Sequence, residues 1–331
     1  MGAAIKLVCS LVLPALLACS GAAAQAAAAP PAPPLPELVP VKVSPHVYYF
    51  RGAAGMASQA NRGFMSNAGF VVTPAGVLVF DALATPALGK AMLEAIAKVT
   101  PQPVKTIIVS HYHADHFYGL QALAAGGAQV WAHKNGQATL RSDLTQARLA
   151  ERRSSLAPWV DQHTQLRPAD RWLDPGPSKV LTFTLGGMRF ALVDASGAHS
   201  PEDLMLSVED EGVLFAGDLF FTGRLPFVGE ADSKAWLLAL DKINASRPKV
   251  VIPGHGAAST DPLADLELTR SYLLFLREQM GRAVADMTSF DEAYKAVDWG
   301  RFQKMPAFNE ANRLNAYGTY LLMERESLAK P

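Results

Sequence analysis

"SHYHADHFYG", residues 110–119, sets three histidines and one aspartate into six consecutive positions, 111–116, of a chain that has only eight histidines in 331 residues. A solvated surface loop has no use for that concentration, and a packed core cannot readily satisfy so many polar rings. At this composition H-x-H-x-D-H arises by chance in roughly one chain in 10⁴, an independence estimate. The side chains are those of a metal site. Just upstream, "VKTIIVS" (104–110) reads as a buried strand that delivers the chain directly into His111. His111 and His113 alternate on one strand-like face, so both rings can reach a single ion.

The same arrangement recurs further along. In "DASGAHSPEDL" (194–204), His199 follows a strand and a small-residue turn. In "VLFAGDLFF" (213–221), Asp218 ends an apolar run, and in "VVIPGHGAAS" (250–259) His255 sits between two glycines after another. Each time a strong metal-ligand type terminates a buried strand. Polar groups gathered at strand ends on one edge of a sheet make a reaction site.

The segments between these motifs set the fold class. "HVYYF" (46–50) is an expected strand, and "GFVV" and "GVLVFDA" flank Pro74-Ala75-Gly76 as a hairpin. "TPALGKAMLEAIAKV" (85–99) has helical spacing behind a Thr85-Pro86 start. "YGLQALAA" (118–125) continues as helix and "AQVWA" (128–132) as strand. Hairpins follow over Gly186-Gly187 and over Asp210-Glu211-Gly212, then a helix at 233–243 and a strand at 249–256. Helices are expected at 262–284, about 289–297 and 309–327, with Leu314, Tyr317 and Leu321 as a core-packing stripe on the last. Two strand-rich halves, each closed by helices, predict an α/β fold of stacked sheets with helices outside.

Half of the residues are hydrophobic, enough for a sizeable core. Thirty basic side chains balance thirty acidic ones without a basic stripe, which argues against a nucleic-acid partner. Residues 1–29 have a weakly positive start and an apolar stretch at 7–18 interrupted by Pro14, the pattern of a secretory signal rather than a membrane span. Two processing readings compete: lipidation at Cys19 after "LLA", or cleavage after "AQA" at 24–26. Both cysteines, Cys9 and Cys19, lie in this segment, so the remainder has neither a disulfide nor a thiolate ligand, which suits the periplasm. Residues 30–40 continue a Pro/Ala-rich tether, 41–260 the catalytic domain, and 261–331 a helical extension packed on it. Any membrane contact runs through the N-terminal lipid alone; oligomeric state is left open.

The set His111, His113, Asp115, His116, His199, Asp218 and His255 resembles the complete ligand set of the metallo-β-lactamase superfamily, over about 41–258 with five motifs in the expected order. The resemblance implies an αββα sandwich with a dinuclear site at one edge of the two sheets. It implies that His111, His113 and His199 bind a first zinc, that Asp115, His116 and His255 bind a second, and that Asp218 bridges them. Two Zn(2+) per chain are therefore expected, with iron or manganese tolerated in the more oxygen-rich second site. A hydroxide shared by the two ions would attack an amide, thioester or ester carbon of a small-molecule substrate, and Asp115 would orient it and pass its proton on. One group of true metallo-β-lactamases has Cys at the position of Asp218 and, three residues on, a Lys for the drug carboxylate; here that position is Phe221. The ligand set looks more like glyoxalase II-type thioesterases and their secreted relatives. A β-lactamase remains the alternative, and a noncatalytic metal-binding protein a second one, although such a protein would be expected to have lost ligands.

The other histidines, His46, His133 and His163, have no partner at ligand spacing and read as surface or satisfied core residues. Arg224 reads first as a surface arginine and second as a holder of a substrate anion. Residues 51–63 are expected as a connector or a flap over the site.

Overall fold

The computed structural model describes Met1 and residues 34–176 and 179–329. The proposed signal beyond Met1 and the first four tether residues, 30–33, lie outside them. A first sheet runs β1 (Val41–Lys42), β2 (Val47–Phe50), β3 (Ala68–Thr73), β4 (Gly76–Phe80), β5 (Val104–Ile108), β6 (Gln129–His133) and β7 (Arg171–Leu173), side by side in chain order. Its first four strands are antiparallel neighbours, and β4 to β7 are parallel. Parallel strands need crossovers. These are α1 (Pro86–Val99), then α2 (Ala114–Phe117) and α3 (Leu120–Leu123), then α4 (Gly136–Arg141) and α5 (Asp143–Ser155). The second sheet has the order β12-β11-β10-β9-β8, with β8 (Val180–Leu185), β9 (Met188–Asp194), β10 (Leu204–Val208), β11 (Val213–Phe221) and β12 (Val250–His255). α6 (Ser233–Ser246) makes the crossover between the parallel pair β11 and β12, and α7 (Pro262–Ala285), α8 (Phe290–Ala296) and α9 (Phe308–Leu328) follow.

Local chemistry explains the elements. Thr85 caps α1 by accepting from the Leu88 amide at 3.1 Å, Pro86 opens the helix, and Leu88, Met92, Ala95 and Ile96 form its buried stripe. β11 is buried at all nine positions because β10 and β12 flank it and both its faces are covered. Between the sheets, Val71, Leu78, Phe80 and Ile108 pack with Leu192, Leu206, Phe215 and Ile252. Outside the first sheet lie Leu88 and Met92; with the second sheet pack Trp236 and Leu240 of α6 and Leu273 and Leu276 of α7. The layers are helix, sheet, sheet, helix, as the sequence implied.

Four readings change. Residues 136–155, left unassigned from sequence, form α4 and α5. The expected helix at 118–125 is only the single turn α3, and a separate turn, α2, precedes it at Ala114–Phe117. Leu38, placed in an extended tether, is only 6% exposed and joins the core under α1. On α9, Leu314 and Tyr317 are exposed and Leu321 half-buried, while Ala311, Asn312, Asn315, Ala316, Thr319 and Leu322 are buried. Polarity disguised that face: Asn312 accepts from the Tyr272 hydroxyl at 2.8 Å, and Asn315 accepts from the Val228 and Gly229 amides at 2.8 and 3.1 Å. No described helix is long and apolar enough to cross a membrane.

The segment carrying the histidines is docked tightly. The Ala82 amide donates to the His116 carbonyl at 2.7 Å and the Gly119 amide to that of Leu83 at 3.1 Å. A Cβ on Gly119 would fall 1.8 Å from the Ala82 oxygen. Gly119→Ala is therefore expected to destabilise the protein by about 3 kcal/mol in urea unfolding; wild-type stability would contradict this docking.

Candidate metal centre

After β5 the chain bends at Ser110, is extended at His113 (φ −80°, ψ 143°) and then turns into α2. This presents His111 and His113 from the segment after that bend and Asp115 and His116 from a helical turn. His199 sits in the β9–β10 turn. There Asp203 accepts from the Ser200 amide and hydroxyl, both at 2.7 Å. Glu202 ties that turn to the histidine loop, accepting from the Tyr112 amide at 3.1 Å and the Thr139 hydroxyl at 2.7 Å. Asp218 does not end its strand, as the sequence suggested, but lies inside β11. The register against β12 is irregular around it, and Gly217 takes φ +53°, a local irregularity that re-aims the side chain. His255 ends β12. A Cβ on Gly254 would come 2.0 Å from Asp218 Oδ1, so only glycine admits that carboxylate.

The seven residues converge. His111, His113, His199 and Asp218 bring one donor atom each within 4.8 Å of one another, and Asp115, His116 and His255 do the same. Asp218 touches both groups. Its Oδ1 lies 3.1 Å from His116 Nε2 and 3.3 Å from His255 Nε2, and its Oδ2 lies 3.5 Å from His199 Nε2. Asp115 Oδ2 is 3.2 Å from His255 Nε2.

The outer nitrogens of His111, His255 and His116 are engaged, which leaves their inner ones to the site, whereas His199 Nδ1 is buried without a partner and its Nε2 lies 3.0 Å from His113 Nδ1. His111 Nδ1 meets the Ser110 hydroxyl at 2.9 Å, and His255 Nδ1 donates to the Met65 carbonyl at 2.9 Å. His116 Nδ1 lies 2.9 Å from Asp81 Oδ2. Asp81, at φ +65° just after β4, also accepts from the Ser110 amide and hydroxyl at 2.7 and 2.9 Å. Sequence reading missed Asp81; its one signal was a carboxylate closing the wholly apolar strand "GVLVFDA". Aromatic rings back the cluster: Phe221 stacks on His255 at 5.2 Å, and Trp236 meets His199 edge-on at 5.0 Å.

The electrostatics fit a cation. Burial first, then neighbouring histidines, pushes His111 well below its ordinary range; burial likewise brings His113 to about 3 and His199 to about 4. Neutral imidazole is the ligating form; burial would lower His116 and His255 too, but Asp218 and Asp115 outweigh it and hold both above their ordinary range. Burial opposes ionisation of Asp218, but His255 and His116 outweigh it and hold its carboxyl well below the usual range. His111 Nε2, His116 Nε2 and Asp218 Oδ1 are buried without a hydrogen-bond partner. Orphaned lone pairs at one point demand a ligand such as a metal ion.

A cavity of about 380 Å³ opens on the centre, lined by His113, Asp115, Asp218 and His255 together with apolar and arginine side chains. Met56 lines it, so the 51–63 loop reaches the edge of the site. Arg224, read first as a surface residue, is 1% exposed. Its guanidinium donates to the Gly55 carbonyl at 3.2 Å and reaches Met56 Sδ at 3.3 Å and His255 Nδ1 at 3.2 Å. Its sequence neighbours gave no hint of this, because a long-range contact with the 51–63 loop buries it. His46 pairs with Glu211 at the surface, His133 is buried near Asp194, and His163 is on an exposed loop. None of the three joins the centre.

Paired sheets carry seven imidazole and carboxylate donors at their common edge, the arrangement of a metal centre. The family model of the metallo-beta-lactamase superfamily matches residues 61–255, and the chain belongs to that superfamily. It is similar to a linear primary-alkylsulfatase of Pseudomonas sp., 21% identical over 266 residues that cover 69% of this chain and 49% of that protein. It is also similar to the metallo-beta-lactamase type 2 of Bacteroides fragilis, 27% identical over 158 residues, 46% of this chain and 53% of that one. The chain thus spans about half the length of these curated relatives. Among solved structures, the inverting sec-alkylsulfatase Pisa1 from Pseudomonas sp. superposes with a TM-score of 0.66 at 19% identity, covering 89% of this chain and 52% of that one. The DIM-1 metallo-beta-lactamase gives 0.55 at 18%, covering 73% and 99%.

Proposed function

We propose that this chain is an exported dinuclear zinc hydrolase that cleaves an acyl bond, a thioester, ester or amide, in a small anionic substrate. The observation that carries the reading is the convergence of two donor groups on Asp218. In it His111, His113 and His199 would hold one zinc, Asp115, His116 and His255 the other, and Asp218 would serve both. Two such ions supply Lewis acidity and a water nucleophile at neutral pH. The protein's own residues do the rest. Asp81 fixes the ring of His116, Met65 that of His255, and Ser110 that of His111. Asp115, the catalytic acid–base of this reading, has a carboxylate that lines the cavity, where it can accept a proton and return it to the leaving group. The buried Arg224 offers a charge at the cavity wall for a substrate anion. Phe221 is stacked on His255 and supplies no such charge.

The likeness to alkylsulfatases favours a second reading, cleavage of a sulfate ester at the same centre. A panel on the zinc-loaded protein separates them: a thioester, an activated lactone, a chromogenic cephalosporin and an alkyl sulfate. Fastest turnover of the thioester or lactone, with weak cephalosporin hydrolysis, is the expected result. Cephalosporin turnover far above the rest would make the chain a β-lactamase, and alkyl sulfate turnover far above the rest would establish the second reading. Export is tested on the same gene: Cys19→Ala should release the protein from periplasmic membranes under lipidation, whereas a soluble wild-type product beginning near Ala27 would mean ordinary cleavage.

A further inference from the structure

The helix α5 gives the cavity a wall of its own chemistry. It is capped by Ser142, whose hydroxyl accepts from the Thr145 amide at 3.2 Å, and it seats Thr145 and Leu149 in the core. Its other face, Leu144, Ala147, Arg148, Glu151 and Arg152, lines the cavity. That spacing of i, i+3, i+4, i+7 and i+8 is one continuous helical stripe. The stripe is divided along its length: apolar at the N-terminal end, and charged towards the C-terminal end, where Arg148, Glu151 and Arg152 leave a net positive charge.

The charges in that stripe are unequally spent. Arg152 lies 3.5 Å from Glu151 at the rim. The next residue, Arg153, turns away and donates to the Asp161 and Thr164 carbonyls at 2.8 and 3.0 Å. Arg148, half-buried, has no carboxylate partner among the described residues and acts electrostatically on His113. A guanidinium partly withdrawn from water and left uncompensated beside a cavity is a site for an anion. Arg224 stands by His255, so guanidiniums attend both donor groups of the centre.

The apolar end has a counterpart on another element. Leu144 of α5 is 58% exposed and Leu314 of α9 is 56% exposed, yet both line this cavity, as do Met56 and Phe227. Leucines left in water at the entrance of a site gain free energy when an apolar chain covers them.

We infer that α5 is a substrate-recognition helix and that the substrate is an anionic amphiphile: a carboxylate, sulfate or phosphate group held by Arg148, with an apolar chain lying against Leu144 and Leu314. This rests on the hydrolase reading of the site, and it is tested without hydrolysis. Octane-1-sulfonate has no bond that the enzyme can cleave. Its binding to the zinc-loaded protein, below its micellar concentration, is compared by calorimetry with that of butane-1-sulfonate and uncharged octyl glucoside. Octane-1-sulfonate is expected to bind at least about tenfold more tightly than either. Arg148→Gln should remove about tenfold of its affinity, with octyl glucoside binding unchanged within twofold. Leu144→Asn should abolish the preference for eight carbons over four. Unaltered circular dichroism and zinc content show that each variant is folded. Equal binding of sulfonate and glucoside by the wild type, or wild-type affinity in Arg148→Gln, would overturn the assignment of α5. Inactivity on every member of the hydrolysis panel would instead count against the hydrolase reading and leave these affinities as they are.

Discussion

Asp218→Asn is expected to lower hydrolysis by about 10³-fold or more while leaving the two-sheet fold in place. The carboxylate reaches both donor sets, through Oδ1 to His116 and His255 and through Oδ2 to His199. The amide keeps the shape but removes a full negative charge from a buried cluster of imidazoles, where charge is weakly screened. Zinc content should fall with activity, because the substitution weakens both ions' coordination at once. His113→Ala should act in the same direction through one donor group, and His163→Ala, on an exposed loop away from the centre, should change neither quantity. Purified variants compared by metal analysis and circular dichroism check this. An Asp218→Asn protein with full zinc content and near-wild-type turnover would show that the carboxylate is not shared.

Asp81→Ala is expected to produce the largest loss of stability, about 3–5 kcal/mol, and a 10- to 100-fold loss of zinc affinity. Asp81 is 1% exposed and accepts three hydrogen bonds, two from Ser110 and one from His116. Truncation strands those donors. It also frees His116, which burial would discharge but which Asp218, Asp115 and Asp81 together hold well above its ordinary range. A merely structural role would lower stability without touching affinity at a temperature where the variant is folded. Zinc titration of folded Asp81→Ala at 10 °C therefore decides whether Asp81 positions the ligand. Wild-type affinity there would limit it to a structural part.

The donors were legible because each is a chemically costly residue set in a locally ordered pattern. "HYHADH" after "IIVS", and His199, Asp218 and His255 beside apolar runs, stand out against a chain with few other histidines. Strands and capped helices with simple periodicity were legible for the same local reason, as in the Thr85-Pro86 start of α1. What escaped depends on contacts distant in sequence. Arg224 is buried by residues 55 and 56, some 168 positions away. The buried face of α9 carries Asn312 and Asn315, whose amides are satisfied by Tyr272 and by the 226–229 backbone, so hydrophobicity alone pointed to the wrong stripe. α5 is rich in charge because one of its faces looks into a cavity rather than a core, and its amphipathic signal is correspondingly faint. Asp81 was one aspartate among many until the fold set it beside His116.

The central claim is that two zinc ions held by these seven side chains carry the chemistry. Stepwise zinc addition to chelated protein tests it most directly, with bound metal and hydrolysis of the panel's best substrate followed together. The account predicts saturation close to two zinc ions per chain, no turnover without metal, and full recovery on reloading. Undiminished turnover by protein in which metal analysis finds no residual ion would contradict it.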